Sequence, residues 1–196
     1  MKKIAVFASG SGSNFQAIVD SIKEGRLAAE IELLVCDKPG AKVIDRASKE
    51  WVETFVFSPK DYPEKSIFEA EIVEILRQKK VDLIVLAGYM RLIGNTLLKA
   101  YANRIVNIHP SLLPAFPGKD AIGQAFRAGV EKTGVTIHYV DEGMDTGPII
   151  AQRELPIEPG DTLESIIEKA HRIEHEFYPQ IVQSLLVSAQ KGPVES

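Results

Sequence analysis

Short apolar runs bounded by turn residues recur along the chain, at Ile4–Ala8, Ile31–Cys36, Val52–Phe57, Val81–Ala87, Arg104–Ile108, Val135–Val140 and Ile149–Leu155. Several are continuous rather than alternating, the pattern of strands covered on both faces in a parallel sheet. The stretches between them read as amphipathic helices. Phe15, Ile18, Val19 and Ile22 fall at i, i+3, i+4 and i+7, with Asn14 as the expected N-cap and Gly25 as the stop. Phe68, Ile72, Ile75 and Leu76 repeat the pattern. So do Leu163, Ile166, Ile167 and Ala170, behind an approximate capping box that pairs Asp161 or Thr162 with Glu164 or Ser165. Pro179 is expected to kink or end this last helix. Alternating strands and helices predict an α/β fold: one domain, with a mostly parallel twisted sheet and helices on both faces.

Composition narrows the partners more than the fold. A chain of 196 residues suits one domain, expected over residues 1–191 with a frayed tail at 192–196. Lys and Arg total 23 against 27 Asp and Glu, a net charge of −4. Without massed cations the chain is a poor general binder of nucleic acid or anionic membrane, so an anionic substrate needs a locally built site. The single Cys36 excludes an internal disulfide framework. The histidines form no HExxH pair, and no metal is expected. The apolar start stops at Ala8, too short for a secretion signal, and no run approaches the ~20 apolar residues of a membrane span. The expectation is a cytoplasmic protein that acts on small molecules.

Ligands of such sheets bind beyond the carboxyl ends of the strands, which singles out the residues after Ala8, Ile108 and Val140. Ser9-Gly10-Ser11-Gly12-Ser13-Asn14 lies between a strand and a helix. Its glycines permit positive φ, and amides at a helix start face an anion. Phe15 stands where a dinucleotide fingerprint has its third glycine, and no P-loop lysine is present. A tight capped turn is the plain structural reading; a small phosphomonoester site accounts for more of the residues. In Asn107-Ile108-His109-Pro110, Asn107 and His109 share one strand face, so an amide donor and an imidazole can meet one reacting atom. Acyl transfer to an amine needs such a pair, one group for the developing oxyanion and one to move a proton. Downstream, Asp141-Glu142-Gly143-Met144-Asp145 is either a solvated acidic turn or the source of a carboxylate that turns in toward His109. His138, inside the preceding strand, reads as a satisfied sheet-face histidine. Gly88-Tyr89-Met90-Arg91-Leu92-Ile93 could form a flat apolar pocket with a cation at its rim, or a plain turn into a core helix. Glu174 and His175 break an apolar stripe and face either a cleft or solvent.

Taken in order, these segments resemble the glycinamide ribonucleotide transformylase family, within the folate-dependent formyltransferases. The resemblance rests on Ser9–Asn14, Leu86–Arg91, Asn107-Ile108-His109-Pro110-Ser111-Leu112-Leu113-Pro114, His138, Asp145–Pro148 and Glu174–Pro179, and covers almost the whole chain. It implies a Rossmann-like formyltransferase fold and transfer of a formyl group from 10-formyltetrahydrofolate, as co-substrate, to the amine of glycinamide ribonucleotide. It also implies a catalytic set of Asn107, His109 and Asp145. Gly12, Ser13, Asn14 and Glu174 would hold the ribonucleotide. Met90, Arg91, Leu92, Ile93, Asn107, Val140 and Asp141 would surround the folate, with Lys65 and Arg91 suited to its acidic tail. The implied partners are small molecules only, and the implied assembly is a monomer or homodimer. Lys119-Asp120-Ala121-Ile122 stands where some members carry histidines, so Lys119 is expected to replace one cation. Methionyl-tRNA formyltransferases share the Asn-x-His core but add a tRNA-binding domain. The acidic balance here opposes tRNA.

Overall fold

The computed structural model describes residues 1–190. The strands are β1 (Lys2–Ala8), β2 (Ala29–Cys36), β3 (Thr54–Val56), β4 (Leu83–Leu86), β5 (Ile105–His109), β6 (Lys132–Tyr139) and β7 (Ile149–Pro156). All lie where the apolar runs predict, in one sheet of order β3-β2-β1-β4-β5-β6-β7. Parallel pairing joins β3 through β5, and β6 and β7 add antiparallel. The strand order reverses between β1 and β4, so the loops leaving these two strands flank the crevice where α/β sheets bind ligands.

Helices cover both faces: α1 (Ser13–Lys23), α2 (Lys42–Lys49), α3 (Lys65–Gln78), α4 (Asn95–Ala100), α5 (Ala121–Ala128) and α6 (Leu163–Gln190). Strand alternation divides the core in two. Ile4, Val6, Ala8, Val85, Val106 and Ile108 pack with α1, α2 and α6 on one face. Ala5, Phe7, Ile84, Leu86 and Ile105 pack with Phe68, Ile72, Leu76 and Leu97 of α3 and α4 on the other. Burying such aliphatic side chains stabilises each face by roughly 1.5–3 kcal/mol per residue.

Two local expectations are corrected and a third is borne out. Asn14 does not cap α1. Gly12 does, at φ 77°, and its carbonyl accepts from the Gln16 amide at 2.9 Å. Pro179 does not end α6, which continues to Gln190. The proline removes one donor from the helix, but buried Phe177, Tyr178, Val182 and Leu186 hold both halves of it against the core. The capping box at the start of α6 pairs Thr162 with Ser165: each side-chain oxygen accepts from the other's amide, at 2.9 and 3.1 Å. Short helices α2 and α5 have no counterpart in the apolar pattern. In α2 only Val43 and Ala47 are buried, too few to draw a stripe. The tail expected at 192–196 lies outside the described residues. Among the described residues, no helix is long and apolar enough to cross a membrane.

Candidate active site

A cleft of about 1520 Å³ opens along the carboxyl ends of β1, β4 and β5. Its volume exceeds the roughly 300–1,000 Å³ of a pocket for one small ligand, so it has room for two. At one end lies the Ser9–Asn14 turn. Gly10 and Ser11 have their carbonyls drawn away from the cleft by α2: Val43 donates its amide to Gly10 at 3.0 Å, and Arg46 Nε donates to the Ser11 carbonyl at 2.7 Å. Gly12 takes a left-handed φ, and a Cβ there would lie 2.5 Å from Val43 Cγ2. Glycine is therefore required twice over, by conformation and by space. The amides that open α1 are left facing the cleft, at the positive end of the helix dipole.

Glu174 of α6 lines the cleft beside this turn and is buried. Burial pushes its carboxyl up to about 7, against the opposing pull of a hydrogen bond with the Asn14 side chain. Asn14 Oδ1 is also buried and has no partner among the described residues. His171, one turn earlier on α6, reaches within 4.0 Å of Glu174 and lines the same cleft, a neighbour that the sequence reading passed over.

The other end is assembled from β5, β6 and the loop before β7. Asn107 and His109 alternate with the core residues Val106 and Ile108, so they share the opposite sheet face, as their spacing predicts. The antiparallel register sets His138 directly across from Asn107, and their side chains meet at 3.3 Å (Nδ2 to Nε2). His138 Nδ1 lies 2.8 Å from the Tyr139 carbonyl and donates to it, which leaves Nε2 as the acceptor for the Asn107 amide. His138 is thus satisfied, as expected, and is also part of the site. The sequence held no sign of that second role, because strand register is not written in spacing.

Asp145 brings the carboxylate. It adopts φ 57°, a strained conformation for a non-glycine residue, which places its side chain between the two imidazoles. Its oxygens lie 3.5 Å from His109 Nδ1 and 3.7 Å from His138 Nε2, and the Gly118 amide donates to Oδ2 at 2.8 Å. Of the acidic loop, this is the carboxylate that turns inward. Asp141 does not line the cleft. Its Oδ1 accepts from Thr146 Oγ1 at 2.6 Å and from the Gly143 amide at 3.0 Å, which shapes the loop and holds its carboxyl below the usual range. On the far side of His109, Nε2 donates to the Phe116 carbonyl at 2.9 Å. The loop carrying that carbonyl is knotted from behind by Thr136, which donates to the Ser111 carbonyl, and by Gln152, which donates to Leu113 O.

Between the two ends runs Gly88–Ile93, after β4. Met90 and Leu92 are exposed, whereas the Ile93 side chain is buried in the core. Arg91 Nε donates to Asp37 at 3.0 Å. Val140 and Lys119 also line the cleft. Lys65 does not: its ammonium donates to the Leu92 carbonyl at 2.8 Å, bracing the segment from outside. Among the described residues, no group of three His, Cys, Asp or Glu side chains is arranged to hold a metal ion.

The chain has relatives among known proteins. The formyl transferase family profile matches residues 2–182. The chain belongs to the formyl transferase family. It is 60% identical over 192 residues to a phosphoribosylglycinamide formyltransferase of Bacillus subtilis, covering 98% of each chain. A glycinamide ribonucleotide transformylase structure from Geobacillus kaustophilus superimposes with a TM-score of 0.92 at 67% identity, over 95% of this chain and 99% of that one. The human trifunctional purine biosynthetic protein adenosine-3 is 36% identical over 92% of this chain, which corresponds to 18% of that longer protein. The Rossmann-like formyltransferase fold expected from the sequence is therefore the fold observed.

Proposed function

We propose that this formyl transferase moves the formyl group of 10-formyltetrahydrofolate to the amine of glycinamide ribonucleotide, giving formylglycinamide ribonucleotide and tetrahydrofolate. The observation that carries this reading is the convergence of Asn107, His109 and Asp145 in one cleft with a glycine turn at a helix start and the part-apolar Gly88–Ile93 loop. The names of the B. subtilis and G. kaustophilus proteins support the same substrates.

Residues 1–191 serve as the one catalytic domain, working in the cytoplasm. The Gly12, Ser13 and Asn14 end receives the phosphate through amides and short polar side chains, at a helix start opened by a glycine at positive φ. Glu174, pushed up to about 7, sits where it can accept a hydrogen bond from the ribonucleotide. Met90 to Ile93 and Val140 offer backbone groups and aliphatic surface to the pteridine. Arg91 presents its remaining guanidinium nitrogens toward the tail.

The amine nitrogen attacks the formyl carbon, the bond from that carbon to the folate nitrogen breaks, and one amine proton leaves for that nitrogen. Negative charge gathers on the formyl oxygen in between. Asn107, whose amide is oriented by His138, and His109 are the donors available to it. His109 Nε2 is committed to the Phe116 carbonyl, so Nδ1 is the ring nitrogen left to face the reacting oxygen and the Asp145 carboxylate 3.5 Å away. Asp145 receives and returns the proton across the short gap. Holding two reactants face to face contributes several kcal/mol by itself.

A formyl-transfer assay with both substrates, with and without chelator, tests the proposal. Transfer that survives chelator and is lost in Asp145→Asn is expected. Formate release without an acceptor would point instead to a hydrolase.

A further inference from the structure

Asp37, at the carboxyl end of β2, belongs to no motif in the sequence, yet it is buried and fully bonded. Its Oδ1 accepts from Ser9 Oγ at 2.5 Å and its Oδ2 from Arg91 Nε at 3.0 Å. Because the Ser9 hydroxyl commits its proton to Asp37, its lone pair is free, and it accepts the Met90 amide at 2.9 Å. The Ser9 amide in turn donates to the Gly88 carbonyl at 3.0 Å. The result is a closed ring, Asp37 to Ser9 to Met90 to Arg91 and back to Asp37. It grips the Met90–Arg91 step twice, once by backbone and once by side chain.

We propose that Asp37 is a positioning residue for the folate. Through Ser9 and Arg91 it fixes the backbone of the Gly88–Ile93 loop in the conformation that meets the pteridine. The inference rests on the assignment of that loop to folate. Asp37 does this from β2, on the opposite side of β1 from β4, so the hold on the loop is tertiary and not a property of the loop's own sequence. A charge-assisted hydrogen bond to a buried carboxylate is the strong member of its class, and the low local dielectric makes the ring stiffer than its exposed surroundings.

The test measures kcat and both KM values in wild type, Asp37→Asn and Ser9→Ala, together with the affinity for tetrahydrofolate by calorimetry and the thermal midpoint. Asp37→Asn keeps the volume and weakens the grip on Arg91; Ser9→Ala removes the acceptor for Met90. Each is expected to raise the folate KM, and to weaken tetrahydrofolate, by roughly tenfold, the size of one lost charge-assisted bond. In Asp37→Asn, saturated kcat and the ribonucleotide KM should stay within about twofold, and the double variant should lose far less folate affinity than the product of the two single losses. A residue that merely stabilised the fold would lower the midpoint and move both KM values alike, and that result overturns the proposal. Unchanged folate KM in both variants overturns it too, while leaving the reaction assignment standing. Wild-type protein that neither transfers formyl nor binds tetrahydrofolate would remove the assignment and the inference together.

Discussion

At one end of the cleft the Ser9–Asn14 turn offers backbone amides; at the other, Asn107, His109, His138 and Asp145 offer side chains. The turn takes its backbone shape from adjacent residues, with Gly12 in the left-handed region and Ser13 opening α1, and only the brace on two of its carbonyls comes from the distant α2. The His109–Asp145 corner has no such local plan. It draws on β5, β6 and a loop whose key residue, Asp145, sits at positive φ beside His138 of β6. Gly147, two residues on, has no space for a Cβ, which would collide with the Tyr139 carbonyl. A site made of amides can bind through many changes of side chain. One made of converging side chains loses its chemistry with any member, and its geometry with any shift in register.

The sharpest way to break that contrast is to remove the imidazole. His109→Ala should lower kcat by about 100-fold to 10,000-fold, the range for lost acid–base help, with little change in ribonucleotide KM. A loss shared equally between kcat and that KM would show that the two ends are not separable.

Glu174 gives a pH signature at the amide end. Its carboxyl is raised from 4.5 to about 7, so the folded state holds the proton more tightly than the unfolded chain does. The associated stability is fully present below 4.5 and is lost as pH rises through about 7. At 1.36 kcal/mol per unit, the ligand-free protein should lose up to about 3 kcal/mol of stability across that window relative to Glu174→Gln. Urea unfolding of both proteins at pH 5 and pH 8 checks the sign. A stability difference that grows in favour of the wild type with pH would refute the assignment of a buried, uncompensated carboxyl.

Gly12→Ala addresses the brace behind the turn. A methyl at φ 77° and in contact with Val43 should cost about 1–3 kcal/mol and raise the ribonucleotide KM without moving the folate KM. Adding Val43→Ala should return part of that loss, because it clears the contact but not the backbone strain. The smallest effect should come from Tyr178→Phe. This buried hydroxyl donates to the carbonyls of Leu86 at 2.6 Å and Val106 at 3.3 Å, under both loops but in neither. About 1 kcal/mol of stability should go, with the kinetics intact. A change in either KM would extend the site's support down to α6.

Period and turn chemistry alone located the strands, the mostly parallel sheet, the glycine turn before α1 and the Asn107–His109 pair, because each of these depends on neighbours within a few residues. From its own neighbours Asp145 was legible only as one of several acids, and it was the family resemblance that singled it out. Three features were decided by the tertiary structure alone: His138 across from Asn107, Asp37 beneath the Gly88–Ile93 loop, and Lys65 braced outside the cleft. Antiparallel register, strand order and the packing of α6 past Pro179 are settled by how buried surfaces fit across the sheet. A contact between residues far apart in the chain leaves no periodic mark on either segment.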